Sequence, residues 1–142
     1  MLVSTRGRYA LRVLIDLAEH ENGGYIPLRD IAQRQEISEK YLESIISVLT
    51  KAGYLDGLRG KGGGYRLTRA PEDYTVGGIL KLTEGSLAPI ACLGSGMNKC
   101  VRSTECKTLP MWEKFHKITE DYFEGITLRE LTNLPEGGNY EI

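Results

Sequence analysis

Apolar residues recur at Ala10, Val13, Leu14 and Leu17, a spacing of three and four that puts them on one side of an α-helix, until Asn22-Gly23-Gly24 stops the run. Ser4 precedes it as a helix-capping residue. After Pro27, the residues Leu28, Ile31 and Ala32 share one face of a second, shorter helix that ends in a turn through Glu36-Ile37. Ser38 then caps a third helix, in which Leu42, Ile45, Ile46 and Leu49 form the inward stripe. Glu39, Lys40, Glu43, Ser44, Ser47 and Lys51 point outward, and Ala52-Gly53 closes the helix. Two short helices across a tight turn, the second one capped, predict a helix-turn-helix.

The period then changes. Tyr54-Leu55-Asp56-Gly57-Leu58 and Tyr65-Arg66-Leu67-Thr68 read as strands of a hairpin whose tip is Arg59-Gly60-Lys61-Gly62-Gly63-Gly64. This predicts a wing: glycines permit positive dihedrals and close approach, and Arg59 and Lys61 present two cations suited to a phosphate backbone or a narrow minor groove. A nucleotide-phosphate loop fails on spacing. Gly62 follows Lys61 where Ser or Thr is needed, and Tyr65 and Leu67 occupy the last positions of the two possible G-x-G-x-x-G registers.

Beyond Pro71, Thr75 caps a helix carrying Val76, Ile79, Leu80 and Thr83 that ends at Gly85. Thr108, with Pro110 in the first turn, starts a longer helix reaching about Gly125, roughly 27 Å in length. Its apolar residues Met111, Trp112, Phe115, Ile118, Tyr122, Phe123 and Ile126 form a stripe too broad for one small domain to cover. Half of it is expected to pack against the same helix of a second copy, through Trp112, Phe115, Ile118, Tyr122 and Ile126. Thr127 to Glu130 matches a capping box for a last helix, Leu128-Arg129-Glu130-Leu131, and the tail Glu136-Gly137-Gly138-Asn139-Tyr140 reads as frayed. The expected fold is mainly α with a small β-hairpin. A winged helix-turn-helix domain spans 1–84, a cysteine-containing loop 85–107, and a dimerisation helix with its tail 108–142.

At 142 residues and 41% hydrophobic the chain buries one ordinary core, and no apolar run is long enough to cross a bilayer. Its net charge of -1 hides an asymmetry: residues 1–69 carry 11 Lys+Arg against 8 Asp+Glu, and residues 70–142 carry 7 against 11. The basic half, which holds the helix-turn-helix and the wing, is where an anionic partner belongs.

The only cysteines, Cys92, Cys100 and Cys106, fall in one glycine-containing stretch with neither helical nor alternating period, so core packing does not explain them. An odd count and an opening Met1-Leu2-Val3-Ser4-Thr5-Arg6 without an apolar signal region point to the reducing cytoplasm. Thiolates in that setting select zinc, copper(I) or an iron–sulfur cluster, and three of them leave one position for another donor.

The order of parts resembles the IscR-like family of bacterial winged-helix transcriptional regulators (IscR/NsrR/CymR type), which has both iron–sulfur sensing and cluster-free members. The resemblance is carried over nearly the whole chain by Ser4-Thr5-Arg6-Gly7-Arg8-Tyr9-Ala10, by Ile31-Ala32 with Ser38-Glu39-Lys40-Tyr41-Leu42-Glu43, by Arg59-Gly60-Lys61-Gly62-Gly63-Gly64-Tyr65, by the three cysteines, and by Trp112 with Ile126-Thr127-Leu128. It implies a homodimeric repressor of a palindromic operator on double-stranded DNA, with Cys92, Cys100 and Cys106 holding a cluster, 2Fe-2S rather than 4Fe-4S. The implied DNA-facing residues are Ser4, Arg6, Arg8, Tyr9, Ser38, Glu39, Lys40, Tyr41, Glu43, Ser44, Arg59 and Lys61. Two positions depart from the family pattern. Leu109 stands where two-iron members often carry a histidine, and Arg8 where four-iron members carry an aspartate, so the fourth ligand stays open, with Glu105, Thr108 and His116 near in sequence. Seven residues separate Cys92 from Cys100, a loose loop from which a cluster is easily lost on purification.

Two other readings remain: a cluster-free repressor switched by a thiol–disulfide couple, and a protein-interaction winged helix stapled by zinc. An enzyme is not expected, because the sequence offers no nucleophile–base pair and no paired carboxylates.

Overall fold

A computed structural model describes residues 2–94 and 100–135; the tail from Glu136 and the stretch Ser95 to Lys99 lie outside the described residues. Six helices and one hairpin follow in order: α1 (Thr5–Glu19), α2 (Leu28–Gln35), α3 (Glu39–Lys51), β1 (Leu55–Leu58), β2 (Gly64–Leu67), α4 (Val76–Glu84), α5 (Leu109–Glu124) and α6 (Leu128–Thr132). Single 3-10 turns precede α4 and follow it.

Helix starts are set by the expected caps. The hydroxyls of Ser4, Ser38 and Thr75 accept from the main-chain N–H of Gly7, Tyr41 and Gly78, and Thr127 with Glu130 closes a complete capping box. The turn between α2 and α3 needs a left-handed residue, and Glu36 takes it at φ 55°. Leu42, Ile45, Ile46 and Leu49 are the buried face of α3, and they join Ala10, Val13, Leu14 and Leu17 of α1 in the main core.

Three strand boundaries shift by one residue: β1 starts at Leu55, β2 takes in Gly64 from the expected tip, and β2 ends at Leu67. Gly53 ends α3 at φ 78°, and the Tyr54 N–H bonds back to the Leu49 carbonyl at 2.9 Å, so the ladder begins at Leu55. At the other end, the Thr68 hydroxyl donates to the Gly53 carbonyl at 2.7 Å and its N–H donates to the Tyr74 hydroxyl at 3.0 Å. The strands pair antiparallel, Leu55 opposite Leu67 and Leu58 opposite Gly64. Ile26 adds a one-residue bridge to Tyr65, and a side chain on Gly64 would run into the Ile26 carbonyl, so only glycine lets that backbone approach.

Asp16 is fully buried, which the apolar period of α1 did not foretell. Arg34 grips it in a fork, Nε to Oδ2 at 2.9 Å and Nη2 to Oδ1 at 2.7 Å, and Gln35 donates a third bond at 2.9 Å. Arg12 closes the network on the Gln35 side chain and carbonyl, so α1 and the end of α2 are fixed by charge as well as by packing.

The last segment returns to the winged domain. Val76 and Leu128 pair with the main chain of Ile126 and Tyr74 at 2.9 Å each, and Leu128 is fully buried in the main core. Residues 108–135 are therefore joined to the winged domain by packing, with α6 under α1 and α5 lying on α4. Helix α5 has no buried residue of its own. Among the described residues no helix is long and apolar enough to cross a membrane.

Candidate functional site

Two surfaces emerge, one polar and cationic, the other built of thiols. On the first, α3 and the hairpin flank a groove whose walls include Glu43, Ser47 and Lys51 from α3 and Leu58, Arg59 and Tyr65 from the wing. Arg59 and Lys61 are exposed on the wing, with Gly60 and Gly62 in positive φ (90° and 76°) giving the tight turn around Lys61. The start of α1 joins this side through Tyr9, whose ring meets Tyr41 of α3 edge to face at 5.9 Å while the Arg12 guanidinium lies 4.9 Å from its centre.

Arg6, Arg8, Ser38, Glu39, Lys40 and Glu43 are exposed, whereas Tyr9, Tyr41 and Ser44 are half-buried. Two of the expected hydroxyls are already committed. Ser44 donates to the Tyr41 carbonyl at 2.6 Å, and Ser4 both caps α1 and donates to the Glu84 carboxylate at 2.6 Å. Glu84 had no role in the sequence reading; an acid in the last turn of a helix opposes the helix dipole, and that mismatch was the available signal.

The thiols cluster at the start of α5. Cys92, Cys100, Ser103, Thr104, Leu109 and Glu113 line one pocket of about 320 Å³. All three cysteines are free. Partial desolvation and a hydrogen bond with the Cys100 thiol push the Cys92 thiol up, and Cys100 and Cys106 are close enough for their charges to push it further. Cys106 goes the other way: the Thr108 hydroxyl, 3.3 Å from its sulfur, and the Thr108 and Leu109 N–H groups at the helix start hold its thiol below the ordinary range. Among the described residues no three Cys, His, Asp or Glu groups are drawn together tightly enough for a single metal ion. A cluster carries several irons and accepts donors spread more widely, and two thiols on one pocket with Cys106 at the start of α5 match its preference for sulfur.

Of the three donors named near the cysteines in sequence, none lines that pocket. Thr108 is engaged with Cys106, Glu105 is exposed, and His116 pairs through Nε2 with Glu120 at 2.5 Å. His20 caps the end of α1, its Nδ1 2.9 Å from the Asp16 carbonyl.

On α5, Met111, Phe115, Ile118 and Tyr122 follow one another at spacings of four and three and are 44–59% exposed. Trp112 is half-buried; Phe123 and Ile126 turn the other way and pack on Val76, Leu80 and Leu87 of their own chain. Ile126 thus faces the winged domain rather than the open face.

A helix-turn-helix flanked by a cation-tipped wing defines a winged-helix, DNA-binding transcriptional regulator. The chain belongs to the Rrf2 family, described as iron-dependent transcriptional regulators, whose pattern matches residues 3–134. It is 37% identical over 131 residues to the HTH-type transcriptional regulator IscR of Aliivibrio salmonicida, covering 92% of this chain and 77% of that one. The IscR of Erwinia tasmaniensis is 36% identical over 136 residues, 96% of this chain and 81% of its own. Among solved structures, T. potens IscR superposes with a TM-score of 0.74 at 37% identity, covering 99% of this chain and 93% of that chain. CymR (YrzC), the global cysteine regulator of B. subtilis, gives 0.77 at 29% identity, covering 96% and 99%. These relatives are regulators, not enzymes, in line with the sequence reading.

Proposed function

We propose that the protein is a cytoplasmic homodimeric repressor that binds a palindromic operator and whose DNA affinity is set by an iron–sulfur cluster held at Cys92, Cys100 and Cys106. The observation that carries this reading is the grouping of three free thiols where α5 starts, two of them on one pocket. The same helix bears the open apolar face of Met111, Phe115, Ile118 and Tyr122. A stripe of that kind on a soluble protein calls for a partner, and a two-fold pairing of α5 with α5 covers it with the same surface on both copies.

In this mechanism Arg6 and Arg8 at the start of α1, with Arg59 and Lys61 on the wing, neutralise phosphates, while Lys40 and Glu43 on α3 meet base edges in the major groove. Cys92, Cys100 and Cys106 would hold the cluster and so tie the ends of the 92–106 loop together just before α5, and the cluster would supply a chemistry that oxidation or iron loss removes. Lys81 of α4, 2.9 Å from Glu120 and 3.2 Å from Glu124, holds α5 on the winged domain, so a change at the base of α5 reaches the angle between the two DNA-binding surfaces. The half-site spacing follows that angle. The regions 1–84, 85–107 and 108–142 thus act as reader, sensor and coupler.

Anaerobic reconstitution with iron and sulfide, followed by absorption spectra, metal analysis, sedimentation and operator binding, tests the reading. Coloured protein with stoichiometric iron and sulfide, bleached by Cys92→Ser, Cys100→Ser or Cys106→Ser, is expected, together with a dimer that Ile118→Glu converts to monomer. Colourless protein binding zinc alone, or a stable wild-type monomer at micromolar concentration, would overturn it.

A further inference from the structure

We infer that Glu113 supplies the fourth protein ligand of the cluster, its carboxylate completing the donor set that three cysteines leave one short; this rests on the cluster reading above. Glu113 lies four residues beyond Leu109 in α5, so the two side chains stand on one face, and both line the pocket shared by Cys92 and Cys100. Leu109 has no donor atom. One turn further along the same face, the chain offers a carboxylate.

The pairing of charges on α5 isolates this residue. Glu120 and Glu124 hold Lys81, and Asp121 holds Lys117 at 2.7 Å. The Glu113 side chain makes no hydrogen bond or ion pair among the described residues, although it lies beside Lys114 in sequence. An exposed acid is ordinary on a helix; one that lines a pocket with two thiols has two sulfur donors beside it. Of the other donors near the cysteines, Thr108 is engaged by the Cys106 sulfur, His116 is paired with Glu120, and Glu105 is exposed and does not line the pocket.

A carboxylate has consequences that a histidine lacks. Three thiolates and one carboxylate place four negative charges around the irons, one more than three thiolates and a neutral imidazole, so the oxidised cluster is favoured and the reduction potential is lower.

The test is spectroscopic and uses the full-length dimer reconstituted anaerobically. Glu113→Ala should still fold, since the side chain is exposed, as circular dichroism checks. It should shift the absorption and paramagnetic-resonance spectra and lose iron to a chelator about tenfold faster or more, the scale on which even supporting residues of metal sites act. Leu109→His, added to Glu113→Ala, should restore retention and introduce nitrogen hyperfine coupling that the wild type lacks. Glu113→Cys should retain iron and display an all-thiolate spectrum. Spectra and chelation rate unchanged in Glu113→Ala, or nitrogen coupling in the wild type, would overturn the assignment while leaving the cluster intact. Failure of the wild type to take up iron and sulfide would overturn the cluster reading, and this inference with it.

Discussion

One carboxylate oxygen of Glu84, at the end of α4, accepts both the main-chain N–H of Ser4 at 3.0 Å and its hydroxyl at 2.6 Å. The same serine caps α1, and Gly7 in the next turn has no side chain because a Cβ there would meet the Glu84 carboxylate. The helix that leads into the cysteine loop is therefore fastened to the helix start that carries Arg6 and Arg8. Negative charge at the start of α1 complements its dipole, which explains an acid misplaced for its own helix.

Glu84→Ala should cost about 1 kcal/mol of stability, the usual net value of such a bond, and weaken operator binding more than a surface substitution would. Glu84→Gln keeps an acceptor and should lose less. Thermal melts paired with binding isotherms check this; equal operator affinity in Glu84→Ala and wild type would show that the tie is structural alone.

Arg34→Met leaves the buried Asp16 carboxylate with only Gln35 and the edge of His20 as neighbours. Removing one partner of a buried ion pair costs about 3–5 kcal/mol, and Gln35 should keep the loss near the lower bound. Urea unfolding would read it, and Arg34→Met combined with Asp16→Leu should recover much of the loss if uncompensated charge is the cause.

Glu43 sits on the exposed side of α3 and lines the groove that also holds Arg59. An acid facing phosphates weakens binding in general, so in the proposed complex Glu43 would accept from a cytosine amino group and disfavour other edges. Glu43→Ala should relax discrimination by about 1–3 kcal/mol at one base pair per half-site. Arg59→Ala or Lys61→Ala should weaken binding to all sequences and flatten the salt dependence by about one unit of slope each. A binding-site selection returning the same consensus with equal stringency for Glu43→Ala would remove the side chain from base reading.

The thiols should react unequally in the cluster-free protein. Cys106 is held low by Thr108 and the α5 N–H groups, while Cys92 is pushed up by desolvation and by Cys100. Below both values, the lowered thiol has the larger thiolate fraction, so iodoacetamide at about pH 7 should label Cys106 before Cys92, the gap closing as pH rises through the Cys92 value. Thr108→Val should slow Cys106 labelling. Peptide mass spectrometry over a pH series measures both.

Local rules were enough for the elements. Caps at Ser4, Ser38, Thr75 and Thr127, the stripe Leu42, Ile45, Ile46 and Leu49, and the glycines at the wing tip can be read from the sequence because each depends on neighbours within a turn or two. The cysteine group was equally legible, three thiols being close in the chain before they are close in space. Boundaries at Tyr54 and Thr68 moved because each residue's hydrogen bonds went to a partner outside the ladder.

What depends on distant residues was decided by the tertiary structure. Nothing near Asp16 in sequence announces Arg34 and Gln35, and nothing near Ser4 announces Glu84, eighty positions away. The division of the α5 stripe into Phe123 and Ile126 packed inward and Phe115, Ile118 and Tyr122 left open needed α4 in place, since periodicity gives a face and not its occupant. Glu113 reads as one more solvated acid until α5 is set beside Cys92 and Cys100. The sequence by itself determined which segments are helix and wing and where the thiols gather, because those follow from short-range sterics and hydrogen bonding; which charges meet, and across which pocket, only packing of the whole chain could fix.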